Sequence, residues 1–369
     1  KQLIINSECN TLNDKIDQAT IMLNFRGSFT KTTRSSQNLG KALLIAQKQI
    51  LLLIALTVFS VISIVFSLLS GSVDIPVTQF VQSIFSSEPS LNSQVLQEIR
   101  IPRTLAAFVT GGLLALSGAI MQVLLRNPLA DPYILGISGG AAVGALSAIL
   151  IGATGFWLSN AAFAGALFSI FLVFGIANKF GNWSVTRLLL TGVVVSAGWG
   201  AVINILLTTS STNNVQSMLF WLMGDLSQSS VNPAHYLLLL IGLVGGVAVS
   251  RSLNVLIRGE LLAVSLGVNV PSLRLILFFS ASVFTATAVT IAGSVGFVGL
   301  IIPHMLRLVG ARDHRILIPS CILLGGSFLV LADSLARTLI APQQLPVGVV
   351  TAVIGVPAFI LILRSTIRK

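Results

Sequence analysis

Ten apolar runs follow one another from residue 50 to the end of the chain, at 50–70, 104–125, 133–152, 156–178, 187–209, 234–254, 273–293, 296–310, 315–334 and 346–363. A helix needs about 20 apolar residues to cross a bilayer. Inside hydrocarbon every backbone N–H and C=O must be satisfied within the protein, and uninterrupted apolar runs can do this only as helices. The expected fold is therefore an all-α polytopic membrane protein, with about ten transmembrane helices in residues 50–369. The eighth run is short and is expected to cross partially or at a tilt. Composition agrees, because 54% hydrophobic and 9% charged residues lie far from the roughly 25% charged of a soluble domain.

Charge orients the runs. Residues 1–49 are polar, with seven Lys or Arg and three acids, and lack the periodicity of a packed element. They are expected to form a cytoplasmic tail, partly disordered and without a secretory signal. Lys and Arg outnumber Asp and Glu by 22 to 11, a balance that in a soluble chain would suggest nucleic acid. Here the cations lie between apolar runs. With the tail inside and ten crossings, all of them except Arg100, Arg103 and Arg337 fall on the cytoplasmic side, as the positive-inside bias requires. A multi-pass protein of the bacterial cytoplasmic (inner) membrane is expected, with both termini cytoplasmic and no nucleic-acid partner.

Several chemistries are missing. Cys9 and Cys321 form neither a disulfide framework nor a metal cluster. His235, His304 and His314 lack zinc spacing, so no metal site and no bound cofactor are expected. Within the runs, apart from a histidine and arginines towards their ends, the ionisable residues are almost only His304 and Asp333, which disfavours a proton-coupled carrier. There is no G-x-x-x-x-G-K-[ST] loop, so any use of ATP must come from a partner. One catalytic pattern competes: Gly136-Ile137-Ser138-Gly139 matches the nucleophile motif of intramembrane serine proteases, with His304 as the candidate base. The glycine-rich setting favours a chance match. Small residues such as Gly111-Gly112 and Gly139-Gly140 suit close helix packing. Runs two to five and seven to ten are five crossings apart, so if they are repeats they are inverted ones, a common transporter arrangement.

Four segments are more specific: Arg100-Ile101-Pro102-Arg103, with Pro102 placed to open a helix; Arg126-Asn127-Pro128-Leu129-Ala130-Asp131-Pro132-Tyr133; Gly293 to Arg315, containing Gly296-Phe297-Val298-Gly299-Leu300-Ile301-Ile302-Pro303-His304; and Leu345-Pro346-Val347-Gly348-Val349-Val350-Thr351-Ala352. In this order they closely resemble the FecCD family, the membrane subunits of ATP-binding-cassette importers for ferric siderophores, haem and cobalamin. The resemblance runs from about residue 50 to the end. It departs at Ser294, where the family more often has proline, a change expected to alter local helix geometry.

The resemblance implies a type II importer fold and a non-catalytic transport subunit. It implies a homodimer with a path along its axis, two cytoplasmic ATPase subunits that use ATP and Mg, and an extracytoplasmic substrate-binding protein. Ferric siderophores are the favoured cargo, with haem and cobalamin as the other large chelates. Arg100, Arg103 and Arg337 would form a pocket receiving glutamates of the binding protein. The segment Leu253–Pro271, with Arg258, Gly259, Glu260, Ala263, Leu266 and Gly267, would be the helix that docks on the ATPase. Asn127 and Leu129 would form a cytoplasmic gate, although the same prolines suit a purely structural turn; Ser184, in the Gly181–Thr186 loop, would contribute. Asn204 and Thr208 either line the path or bond between helices. Ser210–Pro233, which has no Lys or Arg, is expected as an outer loop that closes the mouth or touches the binding protein, or simply packs.

Overall fold

The computed structural model describes residue 44 and residues 46–71, 91–178, 184–227, 229 and 231–367; residues 55–369 form one compact unit. Most of the expected tail, and Gly181 to Trp183 of the second gate loop, lie outside the described residues. The helices are α1 (Ala46–Leu69), α2 (Val95–Leu124), α3 (Ile137–Leu150), α4 (Phe156–Asn178), α5 (Val185–Thr209), α6 (Thr212–Met223), α7 (Pro233–Leu256), α8 (Glu260–Ser265), α9 (Val270–Ala292), α10 (Val298–Leu308), α11 (His314–Thr338) and α12 (Val347–Ile367). Seven are long and apolar enough to cross a membrane, and α3, α10 and α12 are shorter apolar helices. These ten coincide one for one with the ten apolar runs.

Helix α2 is the centre of the fold, buried along nearly its whole length. Its glycines permit this. A Cβ on Gly111 would overlap the backbone of Gly325 in α11, and one on Gly118 would overlap Gly299 in α10. Without a hydrophobic force between helices in lipid, such close backbone approach supplies the dispersion contacts that hold a bundle together.

Two helices are too short to span alone. At 1.5 Å per residue, the 14 residues of α3 and 11 of α10 reach about 21 and 16 Å of a ~30 Å hydrocarbon core. The eighth run is short as expected, but the third is also cut. Pro132–Leu135 forms a 3-10 turn whose N–H at Tyr133 is capped by Asp131, and Gly136 reverses the chain at φ 72° before α3 begins. The chain enters α10 in the same way, through Phe297 at φ 71°. The two entry turns meet. Tyr133 donates its hydroxyl to the Val295 carbonyl at 3.0 Å and accepts from the Val295 N–H at 3.2 Å, while Ser138 donates to Ser294 at 3.0 Å. On alternating crossings these turns enter from opposite faces, so their contact places both inside the bundle, where irregular backbone is tolerated because protein satisfies it. Ser294, the departure from the family pattern, supplies one of these bonds.

The halves repeat this arrangement. Gly192 of α5 presses on the backbone of Ile134 and Leu135 at the first turn, and Gly355 of α12 presses on Phe297 at the second. The groups α2–α5 and α9–α12 thus share an irregular entry turn with a glycine packed against it.

Pro102 stands in the first turn of the α-helical stretch Ile101–Leu124, as expected, but α2 as a whole begins upstream with a π-helical turn, Val95–Arg100. Proline lacks an N–H and its ring clashes with the carbonyl four residues back; here the Ile101 N–H reaches the Leu96 carbonyl five residues back. The outer segment Ser210–Pro233 is not simply a loop, since it contains the 12-residue α6, ended by Gly224 at φ 82°. The backbone around Gly224 then joins two other elements: Asp225 N–H bonds Ala292 at 2.9 Å, and Val347 N–H bonds the Gly224 carbonyl at 2.9 Å.

Candidate functional site

The three cations expected outside are gathered by the ends of α1, α2 and α11. They are not free. Arg103 grips the Asp333 carboxylate with Nε at 3.1 Å from both oxygens and Nη2 at 2.9 Å from Oδ1, and its Nη1 donates to Gln344 at 2.8 Å. Arg337, one turn beyond Asp333 on α11, puts Nε 3.1 Å from Oδ2 and donates from Nη2 to the Ser67 hydroxyl at 2.9 Å. Arg100 donates to the carbonyls of Leu68 and Leu69 at 2.8 and 3.1 Å. Asp333 is wholly buried, and the three arginines are buried too. The three arginines are brought together in one cluster, each with a small exposed fraction. One carboxylate against three guanidiniums leaves a net charge of two positive on these four residues. The sequence shows Asp333 only as an acid within an apolar run, without its arginine partners. A single acid four residues before an arginine, inside an apolar run, was the available signal.

Hydrogen bonding fixes which end of the bundle this is. Asn254, near the end of α7, donates to Asp313 at 2.8 Å, just before α11 starts. The α7–α9 connection therefore lies at the opposite end of α11 from Asp333.

That connection carries the segment expected to dock on an ATPase. Its helix is only Glu260–Ser265, entered through Gly259 at φ 142° and left through Gly267 at φ 80°. Ala263 is buried, whereas Leu261 (89% exposed), Val264 and Leu266 project outward with Arg258. Two bare apolar side chains on a six-residue helix, with Leu266 at its C-terminal cap, form a surface that needs a cover. Glu260 faces the other way. It accepts from Arg274 of α9 at 2.7 Å and from Arg126 at 3.2 Å. The hydrogen bond from Arg274, with the charges of both arginines, holds its carboxyl below the usual carboxylate range.

Arg126 leads directly into the candidate gate. It adopts φ 49°, and Asn127 then folds its side-chain oxygen onto the Leu129 N–H at 2.9 Å. Residues 126–129 are exposed and Ala130 is buried, so the turn stands at the end of α2 with Leu129 free to meet another surface. Ser184 caps α5 by accepting from the Arg187 N–H at 3.2 Å. Asn204 and Thr208 are exposed on α5, and Thr208 bonds back to the Asn204 carbonyl at 2.8 Å. Among the described residues of one chain, Thr208 makes no bond to another helix. Helix α5 buries only Leu188, Gly192 and Val195, leaving most of its length unpartnered within one chain.

The protease reading is not favoured. Ser138 donates to Ser294, not to a histidine, so the motif lacks its base. Among the described residues no group of three His, Cys, Asp or Glu is placed to hold a metal.

Comparison with known proteins is consistent with this geometry. The FecCD transport family matches over residues 56–365. A cobalamin import system permease protein, BtuC, of Halobacterium salinarum is 43% identical over 280 residues, covering 75% of each chain. The vitamin B12 import system permease protein BtuC of Klebsiella pneumoniae is 37% identical, covering 85% of this chain and 93% of the relative. Among solved structures, a metal-chelate-type ABC transporter in an inward-facing conformation superposes with a TM-score of 0.74 at 32% identity, covering 86% of this chain and 99% of the other.

Proposed function

The chain belongs to the FecCD transport family, and from that membership we propose that it is the permease subunit of an ATP-driven importer of a large metal chelate in the cytoplasmic membrane. The chelate class that its named relatives favour is cobalamin, ahead of the ferric siderophores and haem expected from sequence motifs. No covalent chemistry is assigned to this chain. Two copies form the path, with the bare flank of α5 and its Asn204 and Thr208 facing the dimer axis. Two partner ATPase subunits bind ATP and Mg, and a binding protein delivers the cargo.

The reading gives each cluster a task. At the outer end, the net positive cluster of Arg100, Arg103, Arg337 and Asp333 receives glutamates of the binding protein, because guanidinium forks hold carboxylates bidentately and keep their charge. At the inner end, Leu261, Val264 and Leu266 cap a cleft of the ATPase. Glu260 then ties that helix to Arg126, one residue from Asn127 and three from Leu129. Displacement of α8 is thereby passed to the gate through a side-chain link.

The match to a metal-chelate transporter along 86% of the chain carries the reading. Its test is uptake into vesicles holding the permease with its ATPase and binding protein. ATP-dependent accumulation of labelled cobalamin, with little ferric siderophore or haem, is expected. Accumulation of a ferric siderophore alone would overturn the cobalamin assignment, and accumulation of each without ATP would overturn the importer.

A further inference from the structure

Between the last turns of α7 and the first turns of α9 lies a cavity of about 550 Å3, closed on one side by the chain that leaves α8. That volume falls in the roughly 300–1,000 Å3 range of small-ligand sites. Its wall is divided. Arg251, Ser252, Asn269 and Ser272 form a polar side, Leu273 and Ile276 an apolar one, and no acid lines it. The polar side consists of unused donors. Among the described residues Arg251 has no ion pair or hydrogen bond, and the hydroxyls of Ser252 and Ser272 have no partner. Asn269 spends its carbonyl oxygen on the Ser272 N–H at 3.2 Å, which leaves its NH2 as a donor. Arg126 and Arg274 nearby are both held by Glu260. Arg251 is the cation that lines the cavity, and it has no such acid.

An occupant must bring negative charge to four donors and hydrocarbon to the apolar side. Ile276 is 57% exposed, and Leu275 of α9 and Val247 and Val244 of α7 are exposed apolar side chains as well. Both helices are membrane-spanning candidates, and the cavity sits where α7 ends and α9 begins, at headgroup depth. Inorganic phosphate satisfies only the donors. A zwitterionic lipid brings a choline for which the wall has no acid. We propose that this cavity binds an anionic glycerophospholipid, its phosphate on Arg251, Ser252 and Ser272 and one acyl chain along Ile276. Leu266 and Gly267, the residues that leave α8, line the same cavity, so the bound lipid braces the ATPase-docking segment. This last consequence rests on the coupling reading above, whereas lipid binding does not.

The test is native mass spectrometry of the permease released from vesicles of phosphatidylcholine and phosphatidylglycerol in equal amounts. Selective retention of phosphatidylglycerol is expected, weakened at least about fivefold by Arg251→Glu, since each basic residue at a membrane surface contributes about 1 kcal/mol. Arg251→Lys should keep part of the selectivity, and Ile276→Asp should lose retention with Arg251 intact. Melting temperatures of the variants separate loss of the site from loss of the fold. Equal retention of both lipids, or unchanged retention in Arg251→Glu, would overturn the proposal. So would displacement of the lipid by millimolar inorganic phosphate, or its expulsion when the ATPase binds. In the assembled importer, phosphatidylcholine alone should lower stimulated ATP hydrolysis. If selective retention persists while hydrolysis ignores lipid, the lipid site stands and the coupling role of α8 falls.

Discussion

Each end of the bundle holds one carboxylate between two arginines, and the two triads differ in almost everything else. Arg103–Asp333–Arg337 is dry: the Asp333 side chain is fully buried and the arginines are 7 and 8% exposed. Arg126–Glu260–Arg274 is wetter, with Glu260 45% and Arg126 37% exposed, although Arg274 is only 12% exposed. A buried pair carries a large desolvation cost that only near-complete hydrogen bonding offsets, and removing one partner strands a charge. An exposed pair is screened and contributes little to stability. The same chemical motif therefore gives a rigid platform at one end and a separable link at the other. A docking surface benefits from the first, and a moving joint from the second.

The contrast predicts its own largest break. Asp333→Ala leaves Arg103 and Arg337 buried without a counter-ion and should destabilise the permease by roughly 3–5 kcal/mol, seen as a large fall in melting temperature. Asp333→Glu, which keeps the charge, should recover much of it. A wild-type melting curve for Asp333→Ala would mean that water already solvates the outer cluster, and the dry-versus-wet distinction would be lost.

At the inner end the effect should move from stability to coupling. Glu260→Lys places a third cation beside Arg126 and Arg274, yet the site is exposed, so folding should change by no more than about 1 kcal/mol. Transport and binding-protein-stimulated ATP hydrolysis should be lost while membrane insertion stays normal. Pairing Glu260→Arg with Arg126→Glu should restore part of the coupling. Full transport in Glu260→Lys would remove the link between α8 and the gate turn.

Sequence and structure diverge where long-range pairing decides. Twenty apolar residues in a row are a local signal, so all ten runs were legible. The truncation of α3 was not, because Tyr133, Ile134 and Leu135 continue the apolar pattern while Gly136 turns the backbone. Helix α6 was hidden by its polar first turn, Thr212-Asn213-Asn214. The outer arginines were recognisable by their charge alone. Their burial depends on Asp333 and Gln344, more than 200 residues from Arg103, and no spacing rule reports that. Glu260 stands out in the sequence as the one acid of its segment, but its partners come from two other helix ends.

The smallest effect concerns pH and separates the triads without changing their shape. Hydrogen bonding to Arg274 holds the Glu260 carboxyl below its ordinary 4.5. A group with a lowered folded value contributes stability above its unfolded value and loses it as pH falls through the folded one. The link between α8 and the gate turn should therefore be fully formed across the neutral range and fail only in acid. Compared with Glu260→Gln, the wild type should show a small stability advantage that is constant from neutral pH down to about 5 and disappears below the lowered carboxylate range, a difference within about 1 kcal/mol for so exposed a group. Chemical unfolding of both proteins over that range measures it. An advantage that already fades between pH 7 and 6 would mean that a different group, not Glu260, controls the inner joint.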